Sequence, residues 1–181
     1  MKLSSGHLIY RIPSLEITAE QRVAMEKWIA ALRSNKYVQG RGYLKDANSE
    51  YCCFGVGCDV FHKETGNGRW VEGVRGFLAA QECLDEYASR FFFPKEVEDY
   101  FGMGKEFLVK MQRHDDPKIV GSYSLNHLND FKEADFNDIA NILEASLNGG
   151  LELTISSKGV DHAGSQHRTE HSVDPETDVD G

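Results

Sequence analysis

Three of the four cysteines lie between positions 52 and 58, and they are the side chains of this sequence with the most distinctive chemistry. A cysteine at the start of a helix has a lowered pKa, because backbone N–H groups stabilise the thiolate. Cys53 is therefore a candidate nucleophile. His127 would be its base, and Asn129 or Asp130 would orient the imidazole ring. This arrangement would make the chain a thiol-dependent hydrolase.

The same stretch offers a second chemistry, which is zinc binding. Cys58 and His62 are four residues apart, so both side chains can face one metal ion if they lie on a helix. The spacing matches no standard C-x2-C pattern, and two of the ligands would have to come from distant parts of the sequence. The further ligands would be drawn from Cys52, Cys53, Cys83 and His127.

A third interpretation, which we favour, is that the cysteines pack in the core. Free cysteine behaves as a small hydrophobic residue and is often fully buried. Gly55 and Gly57 alternate with larger residues here, and small residues suit a crowded crossing between a hairpin and a helix. Residues 51–62 would then be the hairpin-to-helix junction on which the domain is built, without a cofactor. The nucleophile and the zinc site remain alternatives.

A helix over 18–34 is the clearest element that must position this stretch. Thr18 is a good N-cap, and Gln21 three residues later completes a capping box. Four apolar residues repeat with helical spacing and predict one face that packs on the core. They are Met25, Trp28, Ile29 and Leu32.

The other elements give an α+β fold, with several helices packed on a small, mainly antiparallel sheet. The aromatic triplet at 91–93 is interpreted as core. We expect one globular domain over 1–155. Its predicted elements are a strand at 8–12, a β-hairpin with strands 43–45 and 50–52, a helix from 54 to 66, a helix at 77–89, a helix from 94 to 102, strands within 119–125 and 151–155, and a helix capped by Asp135 that ends near 148.

Composition excludes several classes of function. The net charge of −9 repels phosphate backbones, so no nucleic-acid partner is expected. No apolar run approaches the roughly 20 residues that a membrane span needs, and no secretory signal is visible. We therefore expect a cytoplasmic protein that does not enter a membrane, whose thiols stay reduced.

The last residues differ in composition from the rest. Residues 156–181 are rich in polar and acidic side chains and have almost no large apolar ones, which predicts a disordered tail. His162, His167 and His171 in this tail would bind metal only loosely.

Four stretches together resemble a family of small, uncharacterised proteins from tailed bacteriophages and prophages. They are WIAALRSNKYVQGRGYL (28–44), YCCFGVGCD (51–59), LNHLND (125–130) and FNDIANILE (136–144). The family shows a helix ending in ALRSG.Y.QG.G.L, a CCLGVLC motif and a late LND…F.EIA.LIE helix. This chain has Gly57 where the family commonly has a larger apolar residue. The resemblance implies a phage setting, and hence the cytoplasm of an infected bacterium, but no particular activity.

A narrower similarity concerns cell-wall peptidases of the NlpC type. Their DCSG…VF pattern is similar to Cys53-Phe54-Gly55 followed by Val60-Phe61, with Cys53 as nucleophile. The family's aspartate position is Cys52 here, its serine position is Phe54, and its HVGI strand with the base histidine is absent. We therefore expect a non-enzymatic phage accessory protein that acts by binding a host or phage macromolecule, with an unidentified protein as the expected partner. A cysteine hydrolase or a zinc-stabilised domain is the alternative.

Overall fold

The structure, a computed structural model, describes residues 7–72, 75–80, 88–104, 107–113, 120–131, 134–150 and 152–156. These residues form five α-helices and eight β-strands. In chain order they are β1 (His7–Arg11), α1 (Ala19–Arg33), β2 (Val38–Gln39), β3 (Glu50–Tyr51), α2 (Cys53–Thr65), β4 (Arg69–Val71), β5 (Gly76–Leu78), α3 (Lys95–Phe101), β6 (Val109–Arg113), β7 (Val120–Tyr123), α4 (Leu125–Phe131), α5 (Phe136–Leu147) and β8 (Glu152–Ser156).

The largest sheet has four antiparallel strands in the order β7-β6-β1-β8. Ile9 in β1 pairs with Gln112 of β6 on one side and with Thr154 of β8 on the other. Two smaller sheets, β2-β3 and β4-β5, have two strands each. The predicted α+β class with a mainly antiparallel sheet is confirmed, as are the strands predicted at 8–12, 119–125 and 151–155.

The first helix lies at the centre of the helical layer, where α1 contacts α2, α3 and α5. Its capping box is present as predicted. The Thr18 hydroxyl accepts from the Gln21 backbone N–H at 3.3 Å, and the Gln21 side chain accepts from the Thr18 backbone N–H at 3.0 Å. The predicted stripe of Met25, Trp28, Ile29 and Leu32 is buried.

Trp28 joins this helix to the cysteine stretch. Its indole N–H donates to the backbone carbonyl of Cys53 at 3.1 Å. The ring lies 5.2 Å from that of Phe93 and 5.0 Å from that of Phe101. Because an aromatic side chain buries a large area, this contact fixes α1 against α2 and α3.

Helices α3 and α5 also begin and end where the sequence predicts. Asp135 caps α5 through its carboxylate, which accepts from the Asp138 N–H at 2.9 Å. Pro94 lies at the N-cap position of α3, and Gly102 ends that helix with a φ of 66°. The short helix α4 was not predicted. Its first turn begins after β7, where the Ser124 hydroxyl accepts from the His127 N–H at 3.2 Å.

The predicted hairpin over 43–52 is present only in part. One antiparallel bridge joins Lys45 to Tyr51, but β3 forms its ladder with β2, in the parallel direction. The turn at 46–49 follows from Asp46, whose carboxylate accepts from the N–H groups of Asn48 and Glu50 at 2.8 and 2.9 Å. A further bond from the Gly40 N–H to the Tyr51 carbonyl, 2.7 Å long, continues the parallel pairing.

The helix predicted at 77–89 is wrong at both of its described ends, 77–80 and 88–89. Residues 76–78 are strand β5, and Phe77 exchanges two backbone hydrogen bonds with Ser89, at 2.8 and 2.9 Å. Phe77 is fully buried beside Trp70, at 5.1 Å between ring centroids, so tertiary contact outweighs the helical spacing. The rest of the predicted helix, at 81–87, lies outside the described residues.

Two further predictions concern the end of the chain and the membrane. The tail predicted over 156–181 is wrong at its first residue, because Ser156 is the last residue of β8. The rest of it, with His162, His167 and His171, lies outside the described residues. Within the described part of the chain, no helix is long and apolar enough to cross a membrane.

Candidate functional site

The cysteine stretch lies in the interior. Cys52, Cys53 and Cys58 have free thiols and are almost completely inaccessible to solvent. Burial raises the pKa of Cys52 to about 12, and it raises the pKa of Cys53 and of Cys58 well above the ordinary value. Since the thiolate is the reactive form, this environment keeps all three thiols protonated and unreactive at neutral pH.

The local geometry follows from the small residues of the stretch. Helix α2 begins at Cys53, and Cys52 is its N-cap, with the sulfur atom accepting from the Gly55 N–H at 3.4 Å. A Cβ atom on Gly55 would lie 1.6 Å from the carbonyl oxygen of Leu44. One on Gly57 would lie 2.6 Å from the ring of Phe93. The hairpin segment and the aromatic core can approach α2 only because these residues are glycines.

The side chain that links the stretch to α4 is Asn129. Its Oδ1 atom accepts from the Cys53 backbone N–H at 3.3 Å, so the contact is with the backbone and not with the thiol. Its Nδ2 group donates to the Asp130 carboxylate at 2.8 Å. The negative charge of Asp130 adds to the burial that raises the pKa of Cys53, whereas a nucleophile requires the opposite effect.

His127, the candidate base, stacks on another aromatic ring. Its imidazole lies 4.8 Å from the ring of Tyr123, with an angle of 23° between the planes. His127, Asn129 and Asp130 all lie on α4. Asn129 contacts Cys53 by accepting a hydrogen bond from the Cys53 backbone N–H.

Asn129, which is fully buried, and Gln39, which is half-buried, form a polar junction that we call the Gln39–Asn129 junction. Gln39 Nε2 donates to Asn129 Oδ1 at 3.0 Å and to the Ala134 carbonyl at 2.9 Å, while Gln39 Oε1 accepts from the Phe136 N–H at 3.1 Å. Asn129 Nδ2 also donates to the Gly40 carbonyl at 3.0 Å. This junction joins β2, the start of α2, α4 and the start of α5.

Chemical modification tests the protonated state of the thiols. With iodoacetamide at neutral pH, we expect Cys52, Cys53 and Cys58 to react at least about 100-fold more slowly than a free thiol, because each must wait for local opening. Mass spectrometry of proteolytic peptides would measure each site and would separate them from Cys83. Rapid, selective alkylation of Cys53 would instead favour the nucleophile.

The zinc hypothesis receives no support from the described residues. No group of three or more histidine, cysteine, aspartate or glutamate side chains among them could hold a metal ion. Cys58 is buried, whereas His62 lies near the end of α2 with its Nδ1 atom 3.1 Å from the Asn67 carbonyl. Cys83, a proposed ligand, lies outside the described residues. Among the described residues, Cys58 and His62 therefore have no further ligands with which to form a zinc site.

A buried carboxylate on α2 forms a second polar cluster, which sequence reasoning missed. Asp59 is 7% exposed, and it accepts from the Tyr37 hydroxyl at 2.7 Å and from the Trp70 indole N–H at 3.3 Å. Lys63, one turn later, forms an ion pair with it at 2.6 Å. Burial acts to raise the pKa of Asp59, but these hydrogen bonds and the charge of Lys63 outweigh it, so the pKa is lowered.

The Asp59 cluster predicts a pH-dependent stability. The lowered pKa means that its contribution is fully present above the unfolded value of about 4 and is lost as the pH falls through the folded value. We expect Asp59→Asn to lower the free energy of unfolding by about 1.5–3 kcal/mol at pH 7, because charged hydrogen bonds are lost. Urea unfolding from pH 7 to pH 2.5 should show the difference from wild type shrinking below pH ~4. A difference independent of pH would contradict this account.

The aromatic triplet is divided between the core and the surface. Phe93 is buried, as predicted, but Phe91 and Phe92 are 42% and 65% exposed, so the prediction is wrong for these two. Phe91 lies against Tyr43, with ring centroids 5.2 Å apart. We call Tyr43, Phe91 and Phe92 the aromatic patch. The chain bends at residues 91 and 92, and of the three rings only that of Phe93 is buried.

A family model of a domain of unknown function, DUF8296, matches residues 20–147. The chain belongs to the DUF8296 family. The match covers more than half of the sequence, from the first turn of α1 to the last residue of α5. Neither the curated proteins nor the solved structures gave a match.

The DUF8296 match contains the Gln39–Asn129 junction, the Asp59 cluster and the aromatic patch, whereas β1 and β8 lie outside it. The junction residues stand in the sequence motifs that carry the phage resemblance, Gln39 in the first and Asn129 in the third. In the sequence, Gln39 and Asn129 could have been recognised as uncharged amide side chains next to apolar residues. In this chain Gln39 and Asn129 act together as a structural junction.

Proposed function

We propose that this chain is a non-enzymatic accessory protein, encoded by a phage, that acts by binding another protein through the aromatic patch. The observation that carries the proposal is the exposure of Phe91 and Phe92, at 42% and 65%. Leaving two consecutive phenylalanine side chains partly exposed to solvent costs free energy, and exposed apolar side chains of this kind often mark contact sites. The sequence resemblance supports the phage setting.

Binding is favoured over catalysis by the state of the thiols. Cys53 is fully buried, its pKa is raised, and its backbone N–H is engaged by Asn129. A substrate would have no access to such a sulfur atom without local unfolding. The polar groups near it already satisfy one another, which is the property of a structural junction.

The surroundings of the patch indicate the chemistry of the partner. The guanidinium of Arg75 lies 5.8 Å from the ring of Tyr43, and the side chains of Arg41 and Arg90 are exposed nearby in sequence. Aromatic and arginine side chains are enriched among the interface residues that contribute most of the binding free energy. A partner surface with apolar side chains and carboxylates would complement the patch. The net charge of −9 disfavours nucleic acid.

The test compares two variants that each replace one exposed apolar side chain by serine. Immobilised wild-type protein, Phe92→Ser and Val23→Ser would be exposed in parallel to extracts of phage-infected bacteria. Val23 is a matched control, because it is 51% exposed but lies on α1. We expect a partner that wild type and Val23→Ser retain and that Phe92→Ser loses, with affinity for the purified partner falling about 30-fold or more, as for an interface hot spot.

Three outcomes would contradict the proposal. The first is a partner that Phe92→Ser retains as well as wild type does, because the patch would then not be the contact. The second is equal loss with Val23→Ser, which would indicate nonspecific adhesion. The third is the absence of any specifically retained protein. Circular dichroism spectra would verify that both variants are folded.

A further inference from the structure

A cavity of about 380 Å³ lies between the turn at 46–49 and the end of strand β4. Its size is within the range of small-molecule pockets, which is about 300–1,000 Å³. It is separate from the cysteine stretch and from the Gln39–Asn129 junction. Side chains on its wall include Lys45, Ser49, Trp70, Val71, Glu72 and Arg75.

Two cations on this wall are held by aromatic rings. The Lys45 ammonium lies 5.3 Å from the ring centroid of Tyr51 and 5.6 Å from that of Trp70. Arg75 lies over Tyr43 in the same manner. Within the described part of the chain, neither cation forms an ion pair with a carboxylate. Both cations are therefore positioned by aromatic rings and are available to pair with an anionic ligand.

Two carboxylates, those of Asp46 and Glu72, also line the cavity, and within the described residues neither forms an ion pair with Lys45 or Arg75. Asp46 uses its Oδ1 atom to accept from the N–H groups of Asn48 and Glu50, so it serves the turn. Glu72 is the second carboxylate on the wall. It follows β4 directly, and its carbonyl accepts from the Arg75 N–H at 3.3 Å.

Trp70 provides a rigid apolar wall. Its indole N–H is fixed by the Asp59 carboxylate at 3.3 Å, and its ring meets those of Tyr51 and Phe77 edge-on, at 5.7 and 5.1 Å. Val71 beside it is 7% exposed. A flat ring that is held on several sides is suited to stack with a planar group of a ligand.

The backbone of the wall is also unusual. Ser49 and Arg75 have φ values of 62° and 53°, in the left-handed region that residues other than glycine seldom adopt. Each is held by a backbone bond of 3.3 Å, to Asp46 and to Glu72 respectively. Each of the two residues therefore closes a tight turn that borders the cavity.

We propose that this cavity binds a small organic anion, a planar ring that carries a carboxylate or a phosphate. The anionic group lies between Lys45 and Arg75, and the ring stacks on Trp70. This site is distinct from the aromatic patch, although Arg75 borders both, so it goes beyond the proposed function.

The two tryptophans make the test internally controlled. In a 1H–15N spectrum of the full chain, the Trp70 indole signal reports on the cavity, while Trp28 is fully buried elsewhere. Phenyl phosphate and phenylacetate would be titrated, with benzylamine and inorganic phosphate as controls. We expect a saturable shift of Trp70 with one or both aromatic anions, no shift of Trp28, and no saturable shift with either control.

Charge-removing variants complete the experiment. Lys45→Gln and Arg75→Gln should each weaken binding of the aromatic anion about 10-fold, as expected for loss of one charged hydrogen bond. Phe92→Ser should bind it as wild type does, which separates this site from the partner-binding patch. The proposal would be overturned by no saturable shift, by equal binding of benzylamine or inorganic phosphate, or by unchanged binding in both charge variants.

Discussion

Replacing Gly55 by alanine is expected to lower the free energy of unfolding by more than about 3 kcal/mol, and so to prevent stable folding of a marginal domain. The new Cβ atom would lie 1.6 Å from the Leu44 carbonyl oxygen and 2.6 Å from its carbonyl carbon. These are backbone atoms, so no change of side-chain rotamer can relieve the overlap.

Leu44 cannot easily move away. Its N–H donates to the Arg90 carbonyl at 2.7 Å, its carbonyl accepts from the Cys52 N–H at 3.3 Å, and its side chain is fully buried. Relief of the clash would therefore displace α2 from the segment that contains Leu44. Both the hydrogen bonds and the buried contacts of that segment would be lost together.

Alanine substitutions of two other glycines provide the comparison and the control for this experiment. Gly57→Ala should cost less than Gly55→Ala, because its Cβ would meet the ring of Phe93, a side chain, at 2.6 Å. Gly104→Ala is the control, since no atom lies within 4 Å of its Cβ, and a change within about 1 kcal/mol is expected there. Urea unfolding followed by circular dichroism gives all three values. A loss below about 1 kcal/mol for Gly55→Ala would refute the close approach.

The second large effect is expected at the Gln39–Asn129 junction. Asn129→Asp keeps the size of the side chain but replaces the Nδ2 donor by an oxygen atom. That oxygen would face the Gly40 carbonyl and the Asp130 carboxylate, which now accept from Nδ2 at 3.0 and 2.8 Å. We expect a loss of about 3–5 kcal/mol at pH 7, the cost of a buried charge without a partner.

The pH dependence distinguishes this cause from simple disruption. Burial and the charge of Asp130 would raise the folded-state pKa of the new carboxyl group above its unfolded value. Its protonated form is favoured in the folded state, so the variant should regain stability relative to wild type as the pH falls towards about 4. Asn126→Asp, on the same helix, is the control. Its amide makes one long bond, to the Phe91 carbonyl at 3.4 Å, so its loss should stay below about 1 kcal/mol.

Helix caps and stripes could be predicted because their interactions are local. The capping boxes of Thr18 with Gln21 and of Asp135 with Asp138 each join residues three positions apart. The side chains of an amphipathic helix repeat with the period of the helix itself. Both partners of each interaction therefore lie within one helical turn of each other in the sequence.

Elements whose partner is remote could not be predicted in this way. Strand β3 follows a turn that suggests a hairpin, but its ladder is with β2. Phe77 has helical spacing with later residues, but burial beside Trp70 and pairing with Ser89 place it in a strand. Short elements have little intrinsic preference, so tertiary contacts decide their conformation.

The candidate site shows the same division. From the sequence, Cys53, His127 and Asp130 could be a nucleophile, its base and an orienting group. The types of residue are correct for that chemistry. Whether a thiol is reactive depends on its solvent exposure and on nearby charge, and these are properties of the folded chain.

The sequence by itself determined where α1, α2, α3 and α5 begin and end, the α+β class, and the small residues that let chain segments meet around Cys52 and Cys53. Only the tertiary structure decided what those cysteines are. The contacts of the junction join residues 76, 90 and 97 positions apart, from Cys53 to Asn129, from Gln39 to Asn129 and from Gln39 to Phe136. No local pattern encodes contacts at such separations, because they arise only when the helices and strands pack together.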